Sequence, residues 1–122
     1  MIVLRKVLTI LLIVAAFAGA YYLGQRKRTR RLDVFAQCLT AKQAKMYGLS
    51  WCPHCAEQKE MFGSSFQYVS YVECGTKAHD EEESCVQSGI KHFPTWQFAS
   101  GWRQEGTLSL QLLSDKTGCS LP

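Results

Sequence analysis

Seventeen consecutive residues near the start of the chain, Val7–Leu23 (VLTILLIVAAFAGAYYL), carry no charge, and this run limits what the chain can become. A helix that is apolar on every side has no face to offer water, so a core helix of a soluble domain is a poor reading of it. The length is near the lower limit for crossing a bilayer. Tyr21 and Tyr22 stand at its end, where amphipathic rings favour the membrane interface. Ala16-Phe17-Ala18 would also suit a signal peptidase. We read residues 1–24 as a membrane anchor or signal-anchor, with a cleaved signal peptide as the alternative. Residues 25–32 read as a basic linker, and 33–122 as one small folded domain.

Charge divides the chain in the same place. The first 31 residues hold Arg5, Lys6, Arg26, Lys27, Arg28, Arg30 and Arg31 and no acid, so they carry +7. The remaining 91 residues carry −3, which gives no nucleic-acid surface. Five basic residues follow the span, and the positive-inside rule would therefore put the domain in the cytoplasm. Six cysteines in 122 residues argue for an oxidising compartment or a metal site instead. We follow the cysteines and expect an exoplasmic domain in a periplasm or lumen. The basic run after the span reads equally as a lipid headgroup contact or a solvated linker.

The domain reads as alternating elements. Asp33 looks like an N-cap for a first helix over 34–39. Residues 44–50 suit a strand, and the next helix begins at Pro53, which is tolerated in a first turn, and runs to Gly63. A second strand falls over 68–74 and a helix over 80–87, stopped by Gly89. Two strands, 95–100 and 102–106, join through Ser100-Gly101, and a closing helix over 108–116 ends at Gly118.

Trp51-Cys52-Pro53-His54-Cys55 lies at the junction of the first strand with its helix. A helix N-terminus presents unpaired N–H groups and partial positive charge, which favour thiolate over thiol. Cys52 would be the exposed nucleophile. Cys55, one turn in, would be the buried sulfur that resolves a mixed disulfide. A protonated His54 beside Cys52 would stabilise the thiolate further and make the disulfide more oxidising. Zinc would need a second close pair, and ten residues separate Cys74 from Cys85. Haem attachment needs a histidine where Ala56 stands. No metal or other cofactor is expected.

Trp51-Cys52-Pro53-His54-Cys55 resembles the active-site motif of the thioredoxin superfamily, with the Pro-His dipeptide of DsbA-like oxidases. Phe93-Pro94-Thr95 resembles that family's cis-proline loop, which faces the redox pair and pairs with substrate backbone. The segments FAQCLTAKQAKMYGLSWCPHCAEQKEMFG, YVEC and GIKHFPTW, spanning about 35–96, are more specifically similar to the thioredoxin-like domain fused to or paired with vitamin K epoxide reductase homologues. The resemblance implies an α/β thioredoxin fold, with a central four-stranded mixed sheet flanked by helices, which the apolar run would precede as one N-terminal transmembrane helix. Residues 33–122 would form this thioredoxin-like domain.

The resemblance further implies an exoplasmic thiol–disulfide oxidoreductase that donates disulfides to exported cysteine-containing proteins. A separate vitamin K epoxide reductase-like membrane protein would reoxidise it, so quinone enters only indirectly. Its site would comprise Cys52, Cys55, His54 and Pro94, with Trp51, Phe93 and Thr95 as a possible substrate groove. Cys74 and Cys85 match an extra cysteine pair of that domain and read as a structural disulfide, with a redox relay as the alternative. Cys38 and Cys119 could pair with each other, though Cys38 on an apolar helical face reads more simply as core. His79 and His92 read as surface residues.

One departure matters. Met46 stands where thioredoxin carries a buried acid, so that strand offers no carboxylate as a proton relay for Cys55, leaving His54 or water. This leans away from reductase chemistry. The alternatives are a membrane-tethered reductase or isomerase, and a redox-inactive thioredoxin-like binding module.

Overall fold

The computed structural model describes residues 1–122, which form two compact units, Met1–Arg30 and Arg31–Pro122. The first unit is helical and belongs to α1, Ile2–Ala41. Its apolar residues are exposed, and the helix is long and apolar enough to cross a membrane. At 1.5 Å per residue, the uncharged run alone covers about 26 Å, close to the thickness of a bilayer core.

The basic stretch and Asp33 lie inside α1, which corrects two expectations at once. Residues 25–32 are helical rather than a loose connector, and Asp33 is no N-cap. Arg, Lys and Leu are good helix formers, and nothing between Gly24 and Ala41 breaks the helix. Asp33 instead accepts a hydrogen bond from Ser65 Oγ at 2.7 Å, within the second unit.

The second unit contains β1 (Lys45–Gly48), α2 (Pro53–Phe62), a 3₁₀ segment (Gly63–Tyr68), β2 (Ser70–Glu73), α3 (Glu83–Gln87), β3 (Thr95–Gln97), β4 (Arg103–Glu105) and α4 (Leu110–Thr117). The sheet order is β2-β1-β3-β4. β1 and β2 are parallel, joined through α2, while β3 and β4 add antiparallel to the other side of β1. The result is an α/β domain with a mixed four-stranded sheet. The strands are shorter than the sequence suggested; for β3 and β4, turns take over where Gly101 and Gly106 adopt positive φ.

Phe35, Ala36 and Leu39 from the end of α1 enter the core with Met46, Phe62, Trp96 and Leu113. A buried Gln58 stands among these apolar groups, and its amide is fully used. Its Oε1 accepts from Trp96 Nε1 (3.1 Å) and Leu108 N (2.7 Å), and its Nε2 donates to the Leu108 carbonyl (3.0 Å). Gln58 thereby joins α2 to β3 and to the approach of α4. Sequence reading missed this, because a glutamine on a charged-looking helix gives no sign that it faces inward.

Two disulfides close the domain. Cys38, in the last turns of α1, bonds Cys119, 81 residues on, so the C-terminal tail is bound to the end of α1. This replaces the simpler reading of Cys38 as an unbridged core residue. Cys74 and Cys85 are bonded as well, joining the end of β2 to α3. The helix there begins at Glu83 rather than at residue 80. Residues 75–82 instead form turns, with Gly75 bridging to Glu81.

Candidate functional site

Cys52 and Cys55 are the two cysteines outside these disulfides. β1 ends at Gly48, and Leu49-Ser50-Trp51 carry the chain into the N-terminus of α2. Cys52 is the N-cap, with extended backbone, and its Sγ accepts the Cys55 N–H at 3.2 Å. Pro53 at the first helical position costs nothing, since that N–H has no intrahelical partner. Cys55 lies one turn in and is buried, while Cys52 is half-buried.

The Phe93–Pro94 peptide bond is cis, and the Phe93 carbonyl faces the pair. Cys52 Sγ donates to that oxygen at 3.6 Å. The structure thus brings Cys52, Cys55, Phe93 and Pro94 together. Thr95, expected in a substrate groove, is buried in β3, and its Oγ1 donates to the His92 carbonyl. His54 is exposed and its Nδ1 lies 3.3 Å from Glu57 Oε2, so its side-chain partner is a carboxylate rather than the cysteine pair. Trp51 packs over Gly75 and against His79, whose ring centroid is 4.7 Å away. His79 is exposed in the loop after β2, as expected, and its ring rests on Trp51. His92 lies on the surface as well, 3.9 Å from Glu105. No three metal-ligating side chains converge.

Burial, ahead of the hydrogen bond to Cys52, pushes the Cys55 thiol up to about 12, although Lys59 one turn further along α2 works against this. At neutral pH Cys55 is therefore protonated and must lose a proton before it can attack.

β1 carries no acid, as its sequence shows, but the strand beside it does. Tyr71 and Glu73 lie on β2, beside β1, with Tyr71 in register with Met46. The Tyr71 hydroxyl donates to Glu73 Oε2 at 2.5 Å, and Glu73 Oε1 accepts from Ser50 N (2.9 Å) and Gly75 N (3.0 Å). Glu73 thus holds the turn that leads into Cys52. The sequence signal was the two-residue spacing of Tyr71 and Glu73, which puts both on one face of a strand.

These features define a dithiol centre on an α/β domain, with one sulfur reachable at a helix N-terminus and one behind it. No family model matches the chain. Over 94 residues the chain is 40% identical to "Thiol-disulfide oxidoreductase LTO1" of Arabidopsis thaliana, across 70% of this chain and 24% of that protein. The chain thus spans about a quarter of the curated relative's length. The likeness supports assignment as an oxidoreductase enzyme.

Proposed function

We propose that this chain is a membrane-anchored thiol–disulfide oxidoreductase of the thioredoxin fold that donates disulfides through Cys52–Cys55. The observation that carries the reading is the position of Cys52 Sγ between the Cys55 N–H and the Phe93 carbonyl. An N–H aimed at sulfur is the interaction a helix N-terminus offers to an anion. A carbonyl beside the same sulfur, on an accessible loop, leaves backbone for an extended substrate chain to pair with.

The cycle starts from the Cys52–Cys55 disulfide. A substrate thiolate attacks Cys52, the Cys52–Cys55 bond breaks, and Cys55 leaves with the electron pair and takes up a proton. A second substrate thiolate then attacks the substrate sulfur of the mixed disulfide. The substrate is oxidised by two electrons and the Cys52/Cys55 pair is reduced. Reoxidation runs the same exchange against the disulfide of a membrane partner. In our reading that partner is a vitamin K epoxide reductase-like protein, the substrates are exported cysteine-containing proteins, and the domain lies on the exoplasmic side. The two disulfides Cys38–Cys119 and Cys74–Cys85 support an oxidising location.

A Cys55→Ala variant tests this in cells. It should accumulate mixed disulfides on Cys52 with exported proteins and with a membrane protein, resolved by reductant on a gel and identified by mass. Partners drawn only from the cytoplasm would overturn the location, and no mixed disulfide at all would overturn the function.

A further inference from the structure

Release of a partner from Cys52 requires Cys55 to give up a proton, and the pair itself offers no base. The groups facing Cys55 are Cys52 at the N-cap of α2, the Leu49 backbone, Lys59 from α2 and Tyr71 from β2, with Glu73 against Tyr71. Gly48 is what lets β2 reach it. A Cβ on Gly48 would lie 3.0 Å from Tyr71 Oη and 3.3 Å from Cys55 Sγ, so the phenol and the buried sulfur meet across bare backbone. The two atoms, 3.0 and 3.3 Å from that one point, are thus no more than 6.3 Å apart, a gap that one water spans to carry a proton. Lys59 Nζ lies 4.1 Å from the Tyr71 ring centroid and places a positive charge beside the same cluster. Glu73 is exposed, so a proton arriving there can leave to solvent.

We infer that Tyr71 and Glu73 form the proton route to Cys55, replacing the carboxylate that β1 lacks at Met46; the inference rests on the dithiol exchange proposed above. In the resolving step the Cys55 proton passes to Tyr71 Oη as the Tyr71 proton passes to Glu73 Oε2. The carboxylate becomes a carboxylic acid and later releases the proton to water. The Cys55 thiolate attacks Cys52, the Cys52–Cys55 bond forms, and the partner leaves as a thiolate with the electron pair. When Cys55 is the leaving group, the same route runs in reverse and protonates it. Burial and Glu73 both raise the Tyr71 pKa, so the phenol relays a proton and does not ionise on its own. Glu73 acts through Tyr71 and is a positioning residue as well, since it also holds Ser50 and Gly75.

Tyr71→Phe separates the two roles, because it keeps the ring and leaves the Ser50 and Gly75 bonds to Glu73 in place. The full-length reduced protein in detergent is mixed with oxidised glutathione between pH 6 and 10. Formation of the glutathione adduct on Cys52 and its release by Cys55 are then followed separately by acid quench and mass. The variant should form the adduct within about twofold of the wild-type rate. It should release glutathione at least tenfold more slowly at pH 7, with the deficit closing toward pH 10 as hydroxide takes over as base. Glu73→Gln, whose amide oxygen can still accept from Ser50 and Gly75, should show the same slow release. Equal release rates and pH profiles in wild type and Tyr71→Phe would overturn the proton route while leaving the function intact. Wild-type protein that forms no adduct would overturn both.

Discussion

Cys52 and Phe93 stand 41 residues apart in the chain, yet the Cys52 sulfur donates to the Phe93 carbonyl across 3.6 Å. That contact joins the start of α2 to the turn before β3 and sets the reactive sulfur beside backbone that a second chain can reach. Its neighbours test the structure in separate ways.

The buried Gln58 amide satisfies Trp96 Nε1 and both backbone groups of Leu108. Gln58→Leu keeps roughly the same volume but leaves those partners buried and unpaired. An unsatisfied buried group costs about 1–3 kcal/mol. Urea unfolding of the reduced and oxidised forms should therefore show a loss of at least about 2 kcal/mol. A change near zero would mean that water or a repacked side chain replaces the amide.

The two disulfides differ in the length of chain they close, with sequence separations of 81 and 11. In the chain-entropy view, removing the longer cross-link costs about 4.5 kcal/mol and the shorter about 2.8. Cys38→Ser with Cys119→Ser should thus lower the denaturation midpoint more than Cys74→Ser with Cys85→Ser. The second pair of changes should also loosen the loop that carries His79 against Trp51. Trp51 fluorescence, read against the other two tryptophans, would report that loosening. The reverse order of stability would contradict the loop-length reading.

The Cys55 thiol is pushed up from 9.0 to about 12 in the folded protein, chiefly by burial. A raised pKa means the folded state keeps its proton where the unfolded chain has lost it. The associated stability is complete below about pH 9 and is lost as pH rises through about 12. Reduced wild-type protein should therefore lose more stability than Cys55→Ala over that window. Parallel denaturation curves for the two proteins would show that burial does not hold the proton.

Gly48→Ala tests the approach of β2 to the site. The added methyl would sit 2.9 Å from the Tyr71 ring and 3.0 Å from its hydroxyl, closer than a Cβ contact allows, so Tyr71 must move. We expect slower resolution of the Cys52 adduct together with a stability loss of about 1–3 kcal/mol, the usual range for overpacking. Unchanged resolution kinetics would mean that Tyr71 needs no fixed position.

Local chemistry was legible in the chain. Pro53 at a helix start and Gly118 at a helix end each act within one turn, and each reads correctly from its neighbours. Asp33 misled because an N-cap residue inside a long helix looks the same in sequence; only the unbroken run on both sides distinguishes it. The Cys38–Cys119 bond depends on where the last turn of α1 meets the tail, a relation set by the whole domain. Gln58 and the Tyr71–Glu73 pair were missed for a similar reason. Met46 rightly marks the absence of an acid on β1, but a neighbouring strand can supply one, and strand order is not written in any single segment.

The most direct test of Cys52–Cys55 as a disulfide donor is the redox equilibrium of the full-length protein with glutathione, read by thiol alkylation and mass. Reversible exchange confined to these two cysteines, with a potential above about −200 mV, is the expected result for a pair that oxidises other proteins. A potential near that of thioredoxin, about −270 mV, would point to a reductase, and a pair that never exchanges would contradict the proposed function.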